Sequence, residues 1–136
     1  MPSRATIEAF AKAVESNDHV GAIERFYADD ASTRENLAPP LTGKQALIAK
    51  ESATLARFKS VETRRLSPIL MDGDTVVFHW RFEFTPESGP VRTIEELALQ
   101  TWCGEQLISE QFFYDPRQLA PPAAKSESKP ESSSAA

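Results

Sequence analysis

The chain has few of the residues that would build a metal site or a disulfide. Its 136 residues include one cysteine, Cys103, and two histidines, His19 and His79. A single cysteine excludes a disulfide within the chain, and the sequence offers no cluster of the soft ligands that hold zinc. We therefore expect no metal site in this protein.

Long apolar runs and dense basic runs are also missing. No stretch approaches the roughly 18 apolar residues of a membrane span, and the first residues lead into an amphipathic segment rather than the apolar core of a signal peptide. Fifteen Lys and Arg stand against twenty Asp and Glu, a formal charge of −5, so no basic patch is available to neutralise phosphates. These features predict a cytoplasmic protein that binds neither membranes nor nucleic acid.

Apolar residues at helical spacing dominate the first half of the chain. They follow three potential N-caps, which are Thr6, Asp18 and either Thr42 or Gly43. A capping residue followed by an apolar stripe is typical of a helix start, so three short helices are predicted. Between the second and third of them, residues 33–37 are predicted to be extended.

The second half of the chain changes to the alternation of strands. Val76, Phe78, Trp80, Phe82 and Phe84 are apolar, and the residues between them include three charged or titratable side chains. This period of two indicates a strand with one dry face. Four strands are predicted, over residues 60–71, 75–85, 91–102 and 107–114. Turn signals between them, such as Asp72-Gly73, connect them as an antiparallel meander.

These elements define one domain and a tail. Helices that precede a curved antiparallel sheet make an α+β domain, which we assign to residues 1–119. Residues 120–136 are almost entirely Ala, Pro, Ser, Lys and Glu. That composition cannot bury enough apolar area to offset the entropy of the chain, so a disordered tail is predicted there.

The turn positions predict which residues share a face of the sheet. Arg65 is placed opposite Trp80, Trp80 opposite Glu95, and Glu95 beside Tyr114. The face under the helices would then carry Val76, Phe78, Trp80, Phe82, Leu97, Leu99, Ile108, Phe112 and Tyr114, interrupted by Arg65, Glu95 and Glu110. The outer face would carry Val77, His79, Arg81, Glu96, Ala98, Gln100, Trp102, Gln111 and Phe113. A slip of one residue exchanges the two sets.

Two carboxylates on the predicted dry face, Glu95 and Glu110, are the candidate catalytic residues. A carboxylate under helices must be paired, protonated or open to a water-filled cavity. In a cavity its pKa should be raised, and it can then act as a general acid or base. The alternative is that Glu95 pairs with Arg65 and that Glu110 lies in solvent at the open end of the sheet.

The candidate ligand contacts are four residues of the same face together with Asn36. The four are Arg65, Trp80, Phe112 and Tyr114. Trp80 and Tyr114 are of types that more often pack in a core than touch a ligand. Asn36 precedes a pair of prolines, where its amide would point into a cavity mouth or simply form a turn.

Three segments resemble a known family: residues 26–30 (Phe-Tyr-Ala-Asp-Asp), residues 40–43 (Pro-Leu-Thr-Gly) and residues 102–115. They are similar to the SnoaL-like polyketide cyclase branch of the nuclear transport factor two-like superfamily, which also contains ketosteroid isomerase. The resemblance implies a cone of strongly curved sheet around the helices, a ligand cavity inside it, and a homodimer through the outer sheet face. It also implies that Asn36 lies at the cavity and Glu110 near the acid/base position of the cyclases.

Three functions remain open on these grounds. The first is a cofactor-independent enzyme that transfers a proton on a small hydrophobic, carbonyl-bearing molecule, as an isomerase, cyclase or dehydratase does. Glu110 or Glu95 would be the base, and Tyr114 or Asn36 would donate to the developing enolate oxygen. The second is a module that binds a small ligand without converting it. The third is a dimerisation domain whose cone is filled by its own aromatic residues.

Overall fold

The computed structural model describes residues 1–119, and the tail predicted for residues 120–136 lies outside them. Three α-helices, seven strands and a short 3-10 turn make up this part of the chain. In chain order they are α1 (Arg4–Glu15), α2 (His19–Phe26), β1 (Tyr27–Glu35), β2 (Leu41–Thr42), α3 (Lys44–Leu55), β3 (Ser60–Arg65), β4 (Leu70–Asp72), β5 (Thr75–Thr85), β6 (Arg92–Cys103), β7 (Gln106–Phe113) and the 3-10 turn Pro116–Leu119. None of these helices is long and apolar enough to cross a membrane.

The three predicted helices are confirmed, and side-chain caps explain where α1 and α2 begin. The Ser3 side chain accepts a hydrogen bond from the backbone N–H of Thr6, so Thr6 lies in the first turn of α1 and is not its cap. The Asp18 side chain caps α2 by accepting from the N–H of Gly21, as predicted. Gly43 precedes α3 with a φ of 109°, a left-handed value that favours glycine.

The strands form one strongly curved, unclosed sheet around the helices. Their order is β2-β1-β7-β6-β5-β3, and β4 also pairs with β5. The meander from β3 to β7 is antiparallel, as predicted, but β1 runs parallel to β7. The sheet is therefore mixed rather than purely antiparallel, because the chain leaves α2 directly into a strand beside the last one. That strand starts at Tyr27, earlier than the extended segment that the sequence predicts.

The register between β5 and β6 differs by one residue from the predicted one. Trp80 lies opposite Glu96 and not opposite Glu95, whereas the predicted pairings of Arg65 with Trp80 and of Trp102 with Leu107 are confirmed. Every side chain of β6 consequently lies on the other face from the one predicted. Glu96, Ala98, Gln100 and Trp102 lie on the inner face, and Glu95, Leu97 and Leu99 on the outer face.

Burial of Trp102 explains why this register is the stable one. The Trp102 side chain is 1% exposed and packs edge-on against Phe10 of α1, with ring centroids 5.8 Å apart. An indole buries more apolar area than a leucine side chain. The sheet therefore buries more apolar area when Trp102 points inward and Leu97 and Leu99 stay partly exposed. An irregularity in β7 next to Trp102 shifts the remaining pairs, which leaves Ile108 exposed instead of inside as predicted.

The inner face of β5 shows where the cone is filled and where it widens. Val76, Phe78 and Trp80 are buried, and the Phe78 and Trp80 rings stack at 5.0 Å. Further along the same face, Phe82 and Phe84 are only half-buried. The core therefore fills the end of the cone near Val76, and the other end is more open.

Candidate ligand site in the cone

Glu110 lies at the centre of a buried chain of hydrogen bonds. The Tyr27 hydroxyl donates to Oε1 of Glu110, and Nε2 of Gln100 donates to Oε2 at 2.7 Å. Nε1 of Trp102 donates to Oε1 of Gln100 at 2.9 Å. Because an indole N–H is only a donor, it fixes which end of the Gln100 amide faces Glu110. Both carboxyl oxygens of Glu110 are therefore occupied by this network.

The proton of Glu110 is held more tightly than that of a free glutamate. Burial raises the pKa of Glu110 to about 7, although the hydrogen bonds from Tyr27 and Gln100 lower it. Burial and the nearby Glu110 charge also raise the pKa of Tyr27 well above its usual value, so its hydroxyl stays protonated. With Glu110 only 4% exposed, this carboxyl faces protein groups rather than solvent. A catalytic role for Glu110 stays a prediction.

Glu96 is the inner-face carboxyl that the predicted register missed. It lies opposite Trp80, and no hydrogen bond or ion pair joins its side chain to another residue in the described range 1–119. Burial raises the pKa of Glu96 well above its usual value, and the charges of Glu110, Glu35 and Glu51 raise it further.

Two observations together define the surroundings of the Glu96 carboxyl. Within residues 1–119, every buried side-chain nitrogen or oxygen has a hydrogen-bond partner, so the unpartnered oxygens of Glu96 must be reachable by solvent. The same side chain is nevertheless surrounded by enough protein for its pKa to rise strongly. The Glu96 carboxyl is thus partly covered by protein and partly open to solvent, and we call the space in front of it the recess.

Two further glutamates lie on the elements around this recess. Burial raises the pKa of Glu51 on α3, and the nearby Glu35 charge adds to the rise, while Lys50 opposes it. For Glu35 at the end of β1, burial also favours the neutral form. Hydrogen bonds from Lys50 at 2.8 Å and from the Tyr114 hydroxyl at 2.5 Å nevertheless bring the pKa of Glu35 below its usual value.

His19 at the start of α2 belongs to the same region and was missed by the sequence analysis. Its ring lies 5.8 Å from that of Phe82, its Nε2 is 3.2 Å from Oγ1 of Thr63, and its Nδ1 is 4.0 Å from a carboxyl oxygen of Glu51. Burial lowers the pKa of His19, so the ring is neutral near pH 7. The only sequence signal was its place directly after the α2 cap.

Glu95, predicted to lie inside, lies on the outer face because of the one-residue register difference. Its Oε2 is 2.7 Å from Nε2 of His79, whose Nδ1 is 2.6 Å from the Ser67 hydroxyl. Arg65 forms an ion pair with Glu15 of α1 at 3.2 Å. The alternative in which Glu95 pairs with Arg65 is therefore wrong.

The other predicted ligand contacts pack in the core, line the inner face of the sheet or connect strands to each other. Trp80 is 2% exposed and packs in the core, whereas Phe112 is half-buried on the inner face of β7. Asn36 adopts a φ of 51°, and its Oδ1 accepts from the backbone N–H of Tyr114 at 3.0 Å. Asn36 therefore connects the end of β1 to the residue that follows β7. The Tyr114 hydroxyl donates a hydrogen bond to Glu35.

The described residues contain no group of three or more His, Cys, Asp and Glu side chains placed to hold a metal ion. The chemistry available in the cone is that of carboxyl groups, a neutral imidazole and aromatic walls. Such groups bind small organic molecules and accept or donate protons.

A curved sheet wrapped around helices, with titratable groups on its inner face, defines the nuclear transport factor two-like class of cone folds. The profile of the SnoaL-like domain family matches residues 7–104, and the chain belongs to this family. No functionally curated protein matches its sequence.

Solved structures of related proteins share this fold. A proposed SnoaL-like polyketide cyclase from Mesorhizobium loti is 23% identical, with a TM-score of 0.69 over 81% of this chain and 97% of its own. A second, from Jannaschia sp. CCS1, is 16% identical, with a TM-score of 0.71 over 87% of this chain and 94% of its own. A protein with a ketosteroid isomerase-like fold from Catenulispora acidiphila, in complex with trimethylamine, is 18% identical, with a TM-score of 0.68 over 82% and 86%.

Proposed function

We propose that the cone binds a small carbonyl-bearing organic molecule and that Glu96 takes up and returns a proton on it. This is the chemistry of an isomerase, cyclase or dehydratase that works without a cofactor. Glu96 replaces Glu95 in this role, because Glu96 is the neighbour that lies on the inner face. Glu110 contributes to this role of Glu96, because a charge on Glu110 raises the pKa of Glu96.

The state of the Glu96 carboxyl carries this proposal. An acid or base works best when its pKa lies near the working pH, and the pKa of Glu96 is raised toward that range from its usual acidic value. Its oxygens have no partner among residues 1–119, so a ligand proton can reach them without breaking a bond to that part of the chain.

Two structures of the same fold were solved with small organic molecules. The Catenulispora protein was solved with trimethylamine, and TerC, a further structure of this fold with 14% identity and a TM-score of 0.70, was co-crystallised with polyporic acid. Small organic molecules thus accompany proteins of this fold in crystals. Non-catalytic binding in the cone is the second candidate, because it needs the same recess without turnover.

Hydrogen exchange on carbonyl compounds tests the proposal without knowledge of the natural substrate. A panel of small ketones and aldehydes is incubated with the protein in D2O, and loss of the α-proton signal is followed by NMR. Wild-type protein should accelerate exchange on at least one compound. Glu96→Gln should reduce that acceleration by about 100-fold, because a positioned base contributes about this factor.

The adjacent Glu95→Gln is the matched control, since it removes the same charge from the outer face. It should exchange at the wild-type rate. Equal losses in the two variants would contradict the assignment of the base. Binding of a panel member without exchange, observed by chemical-shift perturbation, would favour the non-catalytic module.

We also propose a homodimer through the outer sheet face, in which two of the residues that the sequence predicts are replaced by others. Ala98 and Trp102, predicted to lie in the interface, are buried under the helices. Their places on the outer face are taken by Leu97 and Leu99, beside Phe113. Leu97 and Phe113 are 45% and 41% exposed, and exposed apolar side chains in a cluster are typical of an interaction surface.

Leu97→Glu should shift the protein from dimer to monomer in sedimentation velocity, because it places a charge at the centre of the proposed interface. Leu37→Glu serves as a control, since Leu37 is 80% exposed and lies in the turn after β1 rather than in β6. A monomeric wild-type protein, or a Leu97→Glu variant that keeps the dimer mass, would place the interface elsewhere or remove it.

A further inference from the structure

A serine, a histidine and a glutamate form a continuous chain of hydrogen bonds on the outer face of the sheet. Ser67 lies between β3 and β4, His79 in β5 and Glu95 in β6. The Ser67 hydroxyl is 2.6 Å from Nδ1 of His79, and Nε2 of His79 is 2.7 Å from a carboxyl oxygen of Glu95. We call these three residues the outer triad. They lie on the opposite side of the sheet from Glu96.

The two hydrogen bonds fix the tautomer of His79. An ionised carboxylate only accepts hydrogen bonds, so Glu95 holds the ring proton on Nε2. Nδ1 of the neutral ring then carries a lone pair and accepts the hydrogen bond that the Ser67 hydroxyl donates. In this state a histidine can remove the proton of a serine. The two ring nitrogens exchange roles relative to the common triad, in which Nε2 faces the serine.

Backbone contacts hold the members of the outer triad in place. The N–H of Leu66 donates to the carbonyl oxygen of His79 at 2.9 Å, which fixes the residue before Ser67. The proline that follows Ser67 restricts its backbone further. The Gln118 side chain accepts from the N–H of Glu95 at 3.0 Å and donates to its carbonyl oxygen at 3.1 Å. The alignment of the triad therefore does not depend on its side chains alone.

The Glu95 carboxyl bonds to His79 although an arginine lies directly across from it. Arg81 is the cross-strand neighbour of Glu95, but its guanidinium pairs with Glu83 at 3.0 Å. Within residues 1–119 the Glu95 side chain has His79 as its one partner. The carboxyl is therefore free to orient the imidazole.

The outer triad is open to a small molecule. The His79 side chain is 25% exposed, and Ser67 is half-buried. A groove of about 250 Å³ lies beside His79, and its walls include Leu97 and Phe113. These two residues follow His79 across successive strands, so they provide an apolar surface for a short acyl or alkyl group.

A donor for a developing negative charge is available at the nucleophile itself. The backbone N–H of Ser67 makes no hydrogen bond within the described part of the chain. In serine hydrolases the N–H of the nucleophilic serine donates to the oxyanion of the tetrahedral intermediate. The Ser67 N–H is free for the same purpose.

We propose that the outer triad is a second reactive site, which transfers the acyl group of small esters to the Ser67 hydroxyl. Oγ of Ser67 attacks the carbonyl carbon of the ester while Nδ1 of His79 takes the hydroxyl proton. The bond from this carbon to the leaving oxygen breaks, and His79 gives the proton to that oxygen, which leaves as an alcohol. Water then attacks the acyl group in the same way, releases a carboxylic acid and restores Ser67. Glu95 is a positioning residue, because it acts through His79.

The ester p-nitrophenyl acetate tests this proposal. Release of p-nitrophenol is followed by absorbance, and the acetylated residue is located by mass spectrometry of peptides. Ser67 should be acetylated, and Ser67→Ala should lower the protein-dependent rate by about 100-fold. The matched control is Ser60→Ala, which removes an exposed hydroxyl from β3 and should react at the wild-type rate.

Glu95→Gln tests the positioning role. A glutamine amide can donate to Nε2 of His79, which allows the other tautomer and removes the base from Ser67. Acetylation of Ser67 should slow by at least about tenfold, and ¹⁵N NMR of the ring should show loss of the form protonated at Nε2. Glu62→Gln removes an exposed charge from β3 and should change neither result.

The groove shares Leu97 and Phe113 with the proposed dimer face, so the reaction is also measured on Leu97→Glu, which keeps the outer triad and is expected to be monomeric. Acetylation only at other residues, or equal rates with and without the Ser67 hydroxyl in both backgrounds, would overturn the proposal. An unchanged rate in Glu95→Gln would overturn the role of Glu95. The ketones and aldehydes of the exchange experiment contain no ester bond, so the two proposals stand or fall separately.

Discussion

Glu110→Gln is expected to make the protein more stable than the wild type above neutral pH, by about 3 kcal/mol in the free energy of unfolding. In the folded protein the pKa of Glu110 is raised to about 7, whereas an unfolded glutamate titrates near 4.3. Between these values the folded state keeps a proton that the unfolded state releases. Rising pH therefore favours unfolding across this window, and above about pH 7 the loss from this group is complete.

Glutamine has the shape of the protonated glutamate and fits the same network. Its carbonyl oxygen can accept from Gln100, and its amide can donate to the Tyr27 oxygen. Urea unfolding at about pH 4 should give equal stabilities for the two proteins, and the difference should open between about pH 4.5 and pH 7.

The matched control is Glu62→Gln, which removes one negative charge from an exposed position. Its stability difference from the wild type should stay small at every pH. If Glu110→Gln were instead less stable than the wild type at about pH 8, the carboxyl would be ionised and stabilised by its donors. The raised pKa would then be refuted.

Most of the fold was predictable from local patterns. The apolar stripes located all three helices, and the period of two located the strands after Ser60, although the single strand predicted over residues 60–71 is two strands, β3 and β4. The parallel pairing of β1 with β7 was not predictable in this way, because it joins segments far apart in the sequence that share no turn. Tyr27 begins β1 directly after α2, because an apolar residue at the end of a helical stripe also suits the start of a buried strand.

The prediction of the candidate site depended on the register between β5 and β6, and it succeeded only in part because that register differs by one residue. Glu110 was placed correctly on the inner face because two shifts cancel: the one-residue difference between β5 and β6 is offset by the irregularity in β7 next to Trp102. The loop between β5 and β6 is longer and allows several pairings, so the choice between Glu95 and Glu96 depended on which face looked more apolar. A count of apolar side chains favoured the register in which Leu97 and Leu99 point inward. The structure instead buries Trp102, whose indole N–H donates a hydrogen bond to Gln100. A count of apolar residues does not include the stabilisation from this hydrogen bond.

Trp102→Glu is expected to unfold the protein rather than to dissociate a dimer. Removing a buried tryptophan side chain costs about 3–5 kcal/mol, and placing a carboxylate beside Phe10 without a partner adds several more. A domain of this size is stabilised by only about 5–15 kcal/mol in total. The variant should therefore lose most of its native circular dichroism signal and its cooperative urea transition.

Leu97→Glu is the matched comparison, because it introduces the same side chain into the same strand on the opposite face. It should keep the native spectrum and a cooperative transition close to that of the wild type, since Leu97 is half-exposed. The predicted register and the observed one give opposite outcomes for this pair. If Leu97→Glu unfolded and Trp102→Glu stayed folded, β6 would be turned over, Glu95 would face the cone, and the roles proposed for Glu96 would pass to it.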